Sequence, residues 1–405
     1  MKVVQINNLC GRGSTGKIAL EISHLSFENG IDNFVIYFSR HSDYFYSKKL
    51  SNKIYIKFQA LKSRLLGNYG FNSYLLTKRL IRELEMQNPD LIHVHNIHAH
   101  NIHFGLFFQY VKKRNLKVIY TFHDCWPFTG YCPHFLMAKC EKWKCFCSNC
   151  PLKKEYSWFF DRSRSNFIRK KNALTDLELT IVTPSKWLSN IIGESFLKAY
   201  PVRVINNGID LQIFKPTDGT FRRERSLEKK FIVLGVADSW STKKGLDIFV
   251  KLSKDLPSNY QIVMVGTDKR IDKDLPSKII SIHRTQNQNE LADIYSSADI
   301  FLNPTREDNY PTVNMESLAC GTPVLTFDVG GSSEIIDETC GSAVRCDDYG
   351  TLLSEIVRIC ETKCFSLNSC LLKAKEFDKK TRLSKYIELY KELLHIENGM
   401  FDKHD

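Results

Sequence analysis

The sequence predicts an α/β chain of two Rossmann-like domains, each with a mostly parallel sheet, facing across a cleft. Three observations carry that expectation. The chain has 405 residues, more than one hydrophobic core usually supports, so two domains of roughly 200 residues each are expected. Short apolar, β-branched runs alternate with helical segments through both halves, the pattern of strands joined by crossover helices. Around Asn207 to Arg223 that alternation breaks into a stretch rich in Gly, Asp and Pro, where a domain boundary belongs.

In chain order, Val3 to Ile6 reads as a buried strand, followed by the glycine loop Gly11 to Gly16 and a helix, a Rossmann-like start. The loop imitates a phosphate-binding P-loop up to Lys17, but Ile18 stands where a magnesium-binding hydroxyl is needed, so a P-loop hydrolase is a poor reading. Further strands are expected at Asn33 to Phe38, Leu91 to His95, Lys117 to Phe122, Leu179 to Thr183 and Val202 to Ile205. The second half adds strands at Phe231 to Val236, Gln261 to Val265, Ile279 to Ile282, Ile300 to Leu302 and Val324 to Phe327. An amphipathic run, Lys380 to Leu394, reads as a last helix, which by analogy with other two-domain chains of this architecture returns to the first domain. The expected organisation is therefore 1–208, with a cysteine-rich insertion at 125–151, then 209–379, then 380–405.

Charge is uneven. Residues 1–210 hold 30 Lys and Arg against 15 Asp and Glu, whereas the remainder holds 27 against 30. A basic half suits an anionic membrane or a phosphorylated substrate, and no nucleic-acid module is recognisable. From Lys53 to Arg82, Ile54, Phe58, Leu61 and Leu65 interleave with Lys57, Lys62 and Arg64. That run fits a helix at a membrane interface or an ordinary helix packed on the sheet. No apolar stretch is long enough to span a bilayer, and the apolar run at the N-terminus is too short for a signal peptide. The expected location is cytoplasmic, peripheral at the inner face of the cytoplasmic membrane. Thirteen cysteines, several in core-like segments, point to a reducing compartment.

The chemistry-bearing stretch runs from Pro304 to Ile336. Asp308 precedes Glu316 by seven intervening residues, then come Ala319, Cys320 and Gly321, a strand, and the turn Gly330, Gly331, Ser332 with Glu334. Ligands of open α/β sheets sit at such strand ends. These features resemble the retaining glycosyltransferases of family four, which have the GT-B fold. Other family-like pieces follow in order: GSTGK from Gly13, TFHD from Thr121, TPSKWL from Thr183, INNGID from Ile205 and KKGLD from Lys243.

The resemblance implies roles for particular residues. Lys244 meets the donor diphosphate, with Lys243 standing in for an arginine the family commonly places where this chain has Asp238. Glu316 takes the ribose hydroxyls. Asp308 or Glu307 holds hydroxyls of the donor sugar, the first keeping the family spacing and the second the residue type. Backbone amides of Asn309, Tyr310, Pro311, Thr312 and of Gly330 to Ser333, at expected helix starts, hold sugar and diphosphate; proline lends only its carbonyl and fixed φ. Gly13 and Gly16 allow close backbone approach, and His123, ending a strand, faces the donor sugar with Asp124 beside it. The four histidines of HNIHAHNIH read chiefly as strand-end caps.

Six cysteines lie between Cys125 and Cys150. Cys132, Cys140, Cys147 and Cys150 are the candidate ligands of a structural zinc, with His134 and Cys145 nearby, and free or redox-sensitive thiols are the alternative. No cofactor is expected for catalysis. The expected function is transfer of a sugar from a nucleotide-diphosphate donor to a hydroxyl of a glycan or lipid-linked glycan in bacterial surface polysaccharide synthesis, as in capsule or lipopolysaccharide. Alternatives are a sugar-nucleotide epimerase of the same fold and an inactive, zinc-stabilised binding module.

Overall fold

The computed structural model describes residues 1–98, 100–218 and 220–395. The chain divides into two compact units: Met1–Ile205 joined by the segment beginning at Leu383, and Asn206–Arg382. The chain thus changes unit at Asn206 and again at Leu383, a few residues from the positions the sequence suggests.

The first unit is built on seven parallel strands: β1 (Lys2–Asn7), β2 (Asp32–Tyr37), β3 (Ser47–Lys49), β4 (Leu91–Val94), β5 (Lys117–Thr121), β6 (Leu179–Thr183) and β7 (Val202–Val204). Their order is β3-β2-β1-β4-β5-β6-β7, and every neighbouring pair is parallel. Parallel sheets need both faces covered, and the side chains alternate accordingly. Val4, Ile6, Ile92, Val94 and Tyr120 pack with Phe104, Phe107, Phe108 and Trp126 on one face. Val3, Leu91, Ile119 and Val182 pack with Ile18, Ile22, Tyr386 and Tyr390 on the other. The strand order reverses between β1 and β4, so the crevice at their C-terminal ends is where a ligand of this unit belongs.

The run Lys53 to Arg82 is not one helix. It forms two, Lys53–Leu66 and Tyr74–Gln87. Gly67 caps the first at φ 70, and Gly70 follows at φ 85. A Cβ on Gly70 would stand 2.5 Å from the Trp126 ring, so the chain breaks where the insertion's tryptophan passes beneath it.

The second unit has six parallel strands: β8 (Phe231–Val236), β9 (Tyr260–Val265), β10 (Ile279–Ile282), β11 (Ile300–Asn303), β12 (Val324–Phe327) and β13 (Gly341–Val344). The order is β10-β9-β8-β11-β12-β13, with every pair parallel and the reversal between β8 and β11. The expected α/β class with two mostly parallel sheets is what the chain adopts. The last helix, Lys379–Leu393, buries Leu383, Tyr386, Ile387, Leu389 and Tyr390.

Candidate active site

In the first unit a chain of side chains runs along the C-terminal ends of β1, β4 and β5. Gln5 donates through Nε2 to Ala19 O and Asn33 Oδ1, each at 2.9 Å, which fixes its Oε1 as an acceptor. His95 Nε2 is 2.9 Å from that oxygen, so it carries the proton. His95 Nδ1 is then an acceptor, and His123 Nε2, 3.3 Å away, is the donor to it. His123 is thereby set with its acceptor nitrogen at Nδ1. Burial drives the His95 imidazole well below its usual range and His123 down to about 4, so both rings are neutral at physiological pH.

Beside His123, Asp124 Oδ2 meets His98 Nε2 at 2.9 Å, while its Oδ1 accepts the Trp126 N–H. Burial works to raise this carboxyl, but His98 by charge and hydrogen bond, with His134 and the Trp126 N–H, outweighs it and holds Asp124 at about 2. The other histidines of the run are also engaged. His100 Nδ1 meets Ser63 Oγ, and His103 Nδ1 accepts the Leu106 N–H as a helix cap. At the glycine turn, Gly11 N–H donates to Gly16 O at 2.9 Å, and Gly13, at φ 65, opens the helix Gly13–Glu28. Gly16 lies inside that first turn, pressed on Leu9, where a Cβ would stand 3.0 Å from the leucine Cβ.

In the second unit the loops after β8, β11 and β12 carry the expected donor residues. Lys244 Nζ is 2.5 Å from Asp308 Oδ2, and Lys243 Nζ is 3.0 Å from Glu307 Oε2. Consecutive lysines thus hold consecutive acids, and the lysine turn is brought to the β11 loop. Arg306 is spent elsewhere, forked onto Asp247 at 2.8 and 2.7 Å and also paired with Asp347. Gly330, at φ 62, lies so close under the β11 loop that a Cβ would fall 1.8 Å from Asp308 O. Only glycine permits this backbone stacking. Asn314 ties the three segments together, accepting from Asn303 Nδ2 at 2.8 Å and donating to Ser332 O at 3.3 Å. The Ser332 hydroxyl is buried with no hydrogen-bond partner among the described residues, a cost that a ligand oxygen would relieve.

Glu316 sits in the helix Thr312–Ala319, whose start is capped by Pro311. The Tyr295 hydroxyl donates to Glu316 Oε2 at 3.2 Å and holds the carboxylate in place. Asn309 N–H bonds Asp308 Oδ1 at 2.9 Å, and Tyr310 O accepts from Asn207 at 3.5 Å. Gly330, Gly331 and Ser332 do not open a helix as expected. They lead into a single 3₁₀ turn, Ser333–Ile335, because Gly330 is left-handed and the chain turns on to Asp337. Their amides therefore act one by one rather than as a helix terminus.

Asp238, at the position where the resembling family has arginine, lines a recess of about 450 Å³ with Trp240, Gly266, Thr267, Asp268, Arg270 and His283. Arg270 brings a guanidinium and His283 an imidazole to that recess, neither of which sequence spacing singled out. Also missed were Gln5 and Tyr295, which position His123 and Glu316. Their only signal was a polar residue within an apolar strand or helix. Cys132, Cys140, Cys147 and Cys150 surround a separate small cavity in the first unit.

Comparison with known proteins agrees with this geometry. The profile described as Glycosyltransferase Family 4 matches residues 28–213, and that of Glycosyl transferases group 1 matches residues 228–362. A putative colanic acid biosynthesis glycosyl transferase, WcaC, of Escherichia coli is 20% identical over 366 residues, covering 85% of this chain and 87% of its own. Sucrose-phosphate synthase from Thermosynechococcus elongatus superposes with a TM-score of 0.73 at 16% identity, over 97% of this chain and 99% of its own. Anabaena Alr3699/HepE, in complex with UDP, gives 0.70 at 14%, over 97% and 100%. The two profiles, joined in order on a pair of parallel sheets, place the chain among the glycosyltransferases of the GT-B fold, with a family 4 region followed by a group 1 region.

Proposed function

We propose that the chain is a retaining glycosyltransferase that moves a hexose-type sugar from a nucleotide-diphosphate donor to a hydroxyl of a glycan or lipid-linked glycan in bacterial surface polysaccharide synthesis. The observation that carries the reading is the lysine–acid pairing of Lys243 and Lys244 with Glu307 and Asp308, beside Gly330 and the partnerless Ser332 hydroxyl. It sets a cation for a diphosphate next to carboxylates for sugar hydroxyls at one strand edge. The likeness to WcaC supports the polysaccharide setting. The UDP of the Anabaena protein makes a uridine nucleotide the first donor to try.

In this reading the bond from the anomeric carbon to the diphosphate oxygen breaks while the acceptor oxygen bonds on the same face. The acceptor proton passes to the departing phosphate, so no separate base is needed. Lys244 leaves Asp308 to meet the growing phosphate charge, and the carboxylates of Asp308 and Glu307 become acceptors for donor-sugar hydroxyls. Glu316, steadied by Tyr295, accepts from the ribose.

Membrane contact falls to the helix Lys53–Leu66. It exposes Ile54 (82%), Phe58 (61%), Leu61 and Leu65 among Lys53, Lys57, Lys62 and Arg64, and Trp158 N–H donates to Arg64 O, setting exposed Trp158, Phe159 and Phe160 alongside. Apolar groups ringed by cations suit an anionic lipid surface. No helix among the described residues is long and apolar enough to cross a membrane.

Thermal-shift measurements with UDP, GDP and their sugars test the donor. A rise of several degrees with one nucleotide, without added metal, is expected, and no rise with any of them contradicts the reading. Lys244→Ala and Glu316→Ala should each lower kcat/KM by about 10²- to 10³-fold, and unchanged glycan synthesis in cells carrying either variant rules the activity out. Turnover requires an acceptor, which an epimerase does not. The anomeric configuration of the product, read by NMR, checks retention.

A further inference from the structure

The insertion after β5 gathers four cysteines that the proposed reaction does not use. Cys132, Cys140, Cys147 and Cys150 all line one cavity of about 20 Å³, with Tyr131, Phe135, Trp143 and Ser163 completing the wall. That volume accommodates a single water-sized body. Cys145, close in sequence, is exposed instead.

Two features favour negative charge at this place. Backbone N–H groups point at sulfur: Gly130 donates to Cys147 Sγ at 3.3 Å, and Leu152 donates to Cys150. The buried Trp143 indole N–H, in the cavity wall, has no hydrogen-bond partner among the described residues, though it is a donor a thiolate would accept. Nearby, Lys170 is fully buried, with Nζ on Trp126 O at 2.6 Å and Thr129 O at 2.9 Å and resting on the Trp126 ring, and Cys132, Cys147 and Asp124 are the acidic groups that act on it.

A divalent ion held by these four sulfurs would keep them as thiolates and leave the site doubly negative beside Lys170.

We propose that Cys132, Cys140, Cys147 and Cys150 bind one zinc ion as a tetrahedral tetrathiolate that pins the insertion onto the first unit. Four thiol ligands, including the pair Cys147 and Cys150 two residues apart, are the soft set that selects zinc, and the closed shell makes the site structural. Binding takes up one Zn²⁺ and releases four protons, with no oxidant needed. Among the described residues no three His, Cys, Asp or Glu side chains already stand close enough to hold an ion, so binding requires the four cysteines to close on it from the wall of the cavity they share. Disulfide pairing of the same sulfurs would put no charge beside Lys170. His134 acts on Asp124 instead.

The test is zinc content by mass spectrometry of the full chain, purified under reduction without chelator. Wild type and Cys145→Ser should carry about one zinc per chain, and Cys140→Ser and Cys147→Ser well under half of that. If those variants prove insoluble, cobalt-loaded wild type decides, since a tetrathiolate gives intense thiolate-to-cobalt absorption. Wild type that neither carries zinc nor takes it up when Zn²⁺ is added to reduced protein overturns the proposal. So does zinc retained in full by both variants. Neither measurement depends on the transferase reading.

Discussion

Single residues set the state of the site. Because Gln5 fixes the proton of His95 and His95 that of His123, replacing His95 by Phe removes the acceptor for the His123 N–H. The ring then loses that restraint on its orientation and tautomer. Positioning errors of this kind act on turnover: kcat is expected to fall about tenfold or more, with the donor KM little changed, and His95→Asn to recover part of the loss. A fall in donor affinity alone would refute this role.

The same burial makes the fold acid-sensitive. His123 and His100 are held at about 4 in the folded chain against 6.5 for a free imidazole. Between those values the unfolded chain binds protons the native one refuses, so stability is complete above about pH 6.5 and is lost as pH falls toward 4. Asp124, at about 2 against 3.8, adds a loss only below about pH 4. Melting temperature should therefore drop by several degrees from pH 7 to 4.5, and His100→Asn should flatten the drop. Most of this was hidden in the sequence. His123 could be marked as a strand-end histidine, but Gln5 lies 90 residues from His95 and its contact is a product of sheet order.

At the scale of elements, the alternation of strand and helix was legible because each buried parallel strand must be apolar on both faces. Two of the short edge strands, β3 and β13, were not. Ser47–Lys49 has no apolar residue, and Gly341–Val344 pairs only on one side. The break within Lys53 to Arg82 had a signal in Gly67 and Gly70, but amphipathic spacing continues across it, and what makes the glycines necessary lies far along the chain: the Trp126 ring over Gly70, and Phe160 O with the Tyr131 hydroxyl over Gly67. The donor loops depend on a comparable contact. Gly330→Ala would drive a Cβ into the Asp308 carbonyl, so the β11 loop must move. Donor binding is expected to weaken by about tenfold or more while the melting temperature changes by only a few degrees. Titration calorimetry with the nucleotide checks this. For the helix Lys53–Leu66, Ile54→Ser with Phe58→Ser should abolish sedimentation with anionic vesicles and leave the melting temperature unchanged, since both side chains already face water.

At the scale of the molecule, the last helix belongs to the first unit's core. Leu383, Tyr386, Ile387, Leu389 and Tyr390 are buried there, His93 Nδ1 lies 2.6 Å from the Tyr390 hydroxyl, and Thr121 Oγ1 lies 3.2 Å from that of Tyr386. Burial of one such side chain is worth about 1.5–3 kcal/mol, so losing five of them removes most of a typical domain's margin of about 5–15 kcal/mol. A chain ended at Arg382 should thus lose the first unit's thermal transition and keep that of Asn206–Arg382, which calorimetry would resolve. Sequence amphipathicity showed that this helix had a face to bury, and a stretch of 15 residues could not by itself say which sheet received it.

The two strands of chain that enter and leave the second unit meet at one point, where Ile209 pairs with Asp378 and exchanges hydrogen bonds with Phe377 and Lys379. The second unit is therefore an excursion from an unfinished first one. As the chain leaves the ribosome, every residue of the later unit is available before Tyr386 and Tyr390 emerge to close the earlier one. The order of synthesis and the order of completion run opposite to each other, and the basic, apolar half waits longest in need of a chaperone.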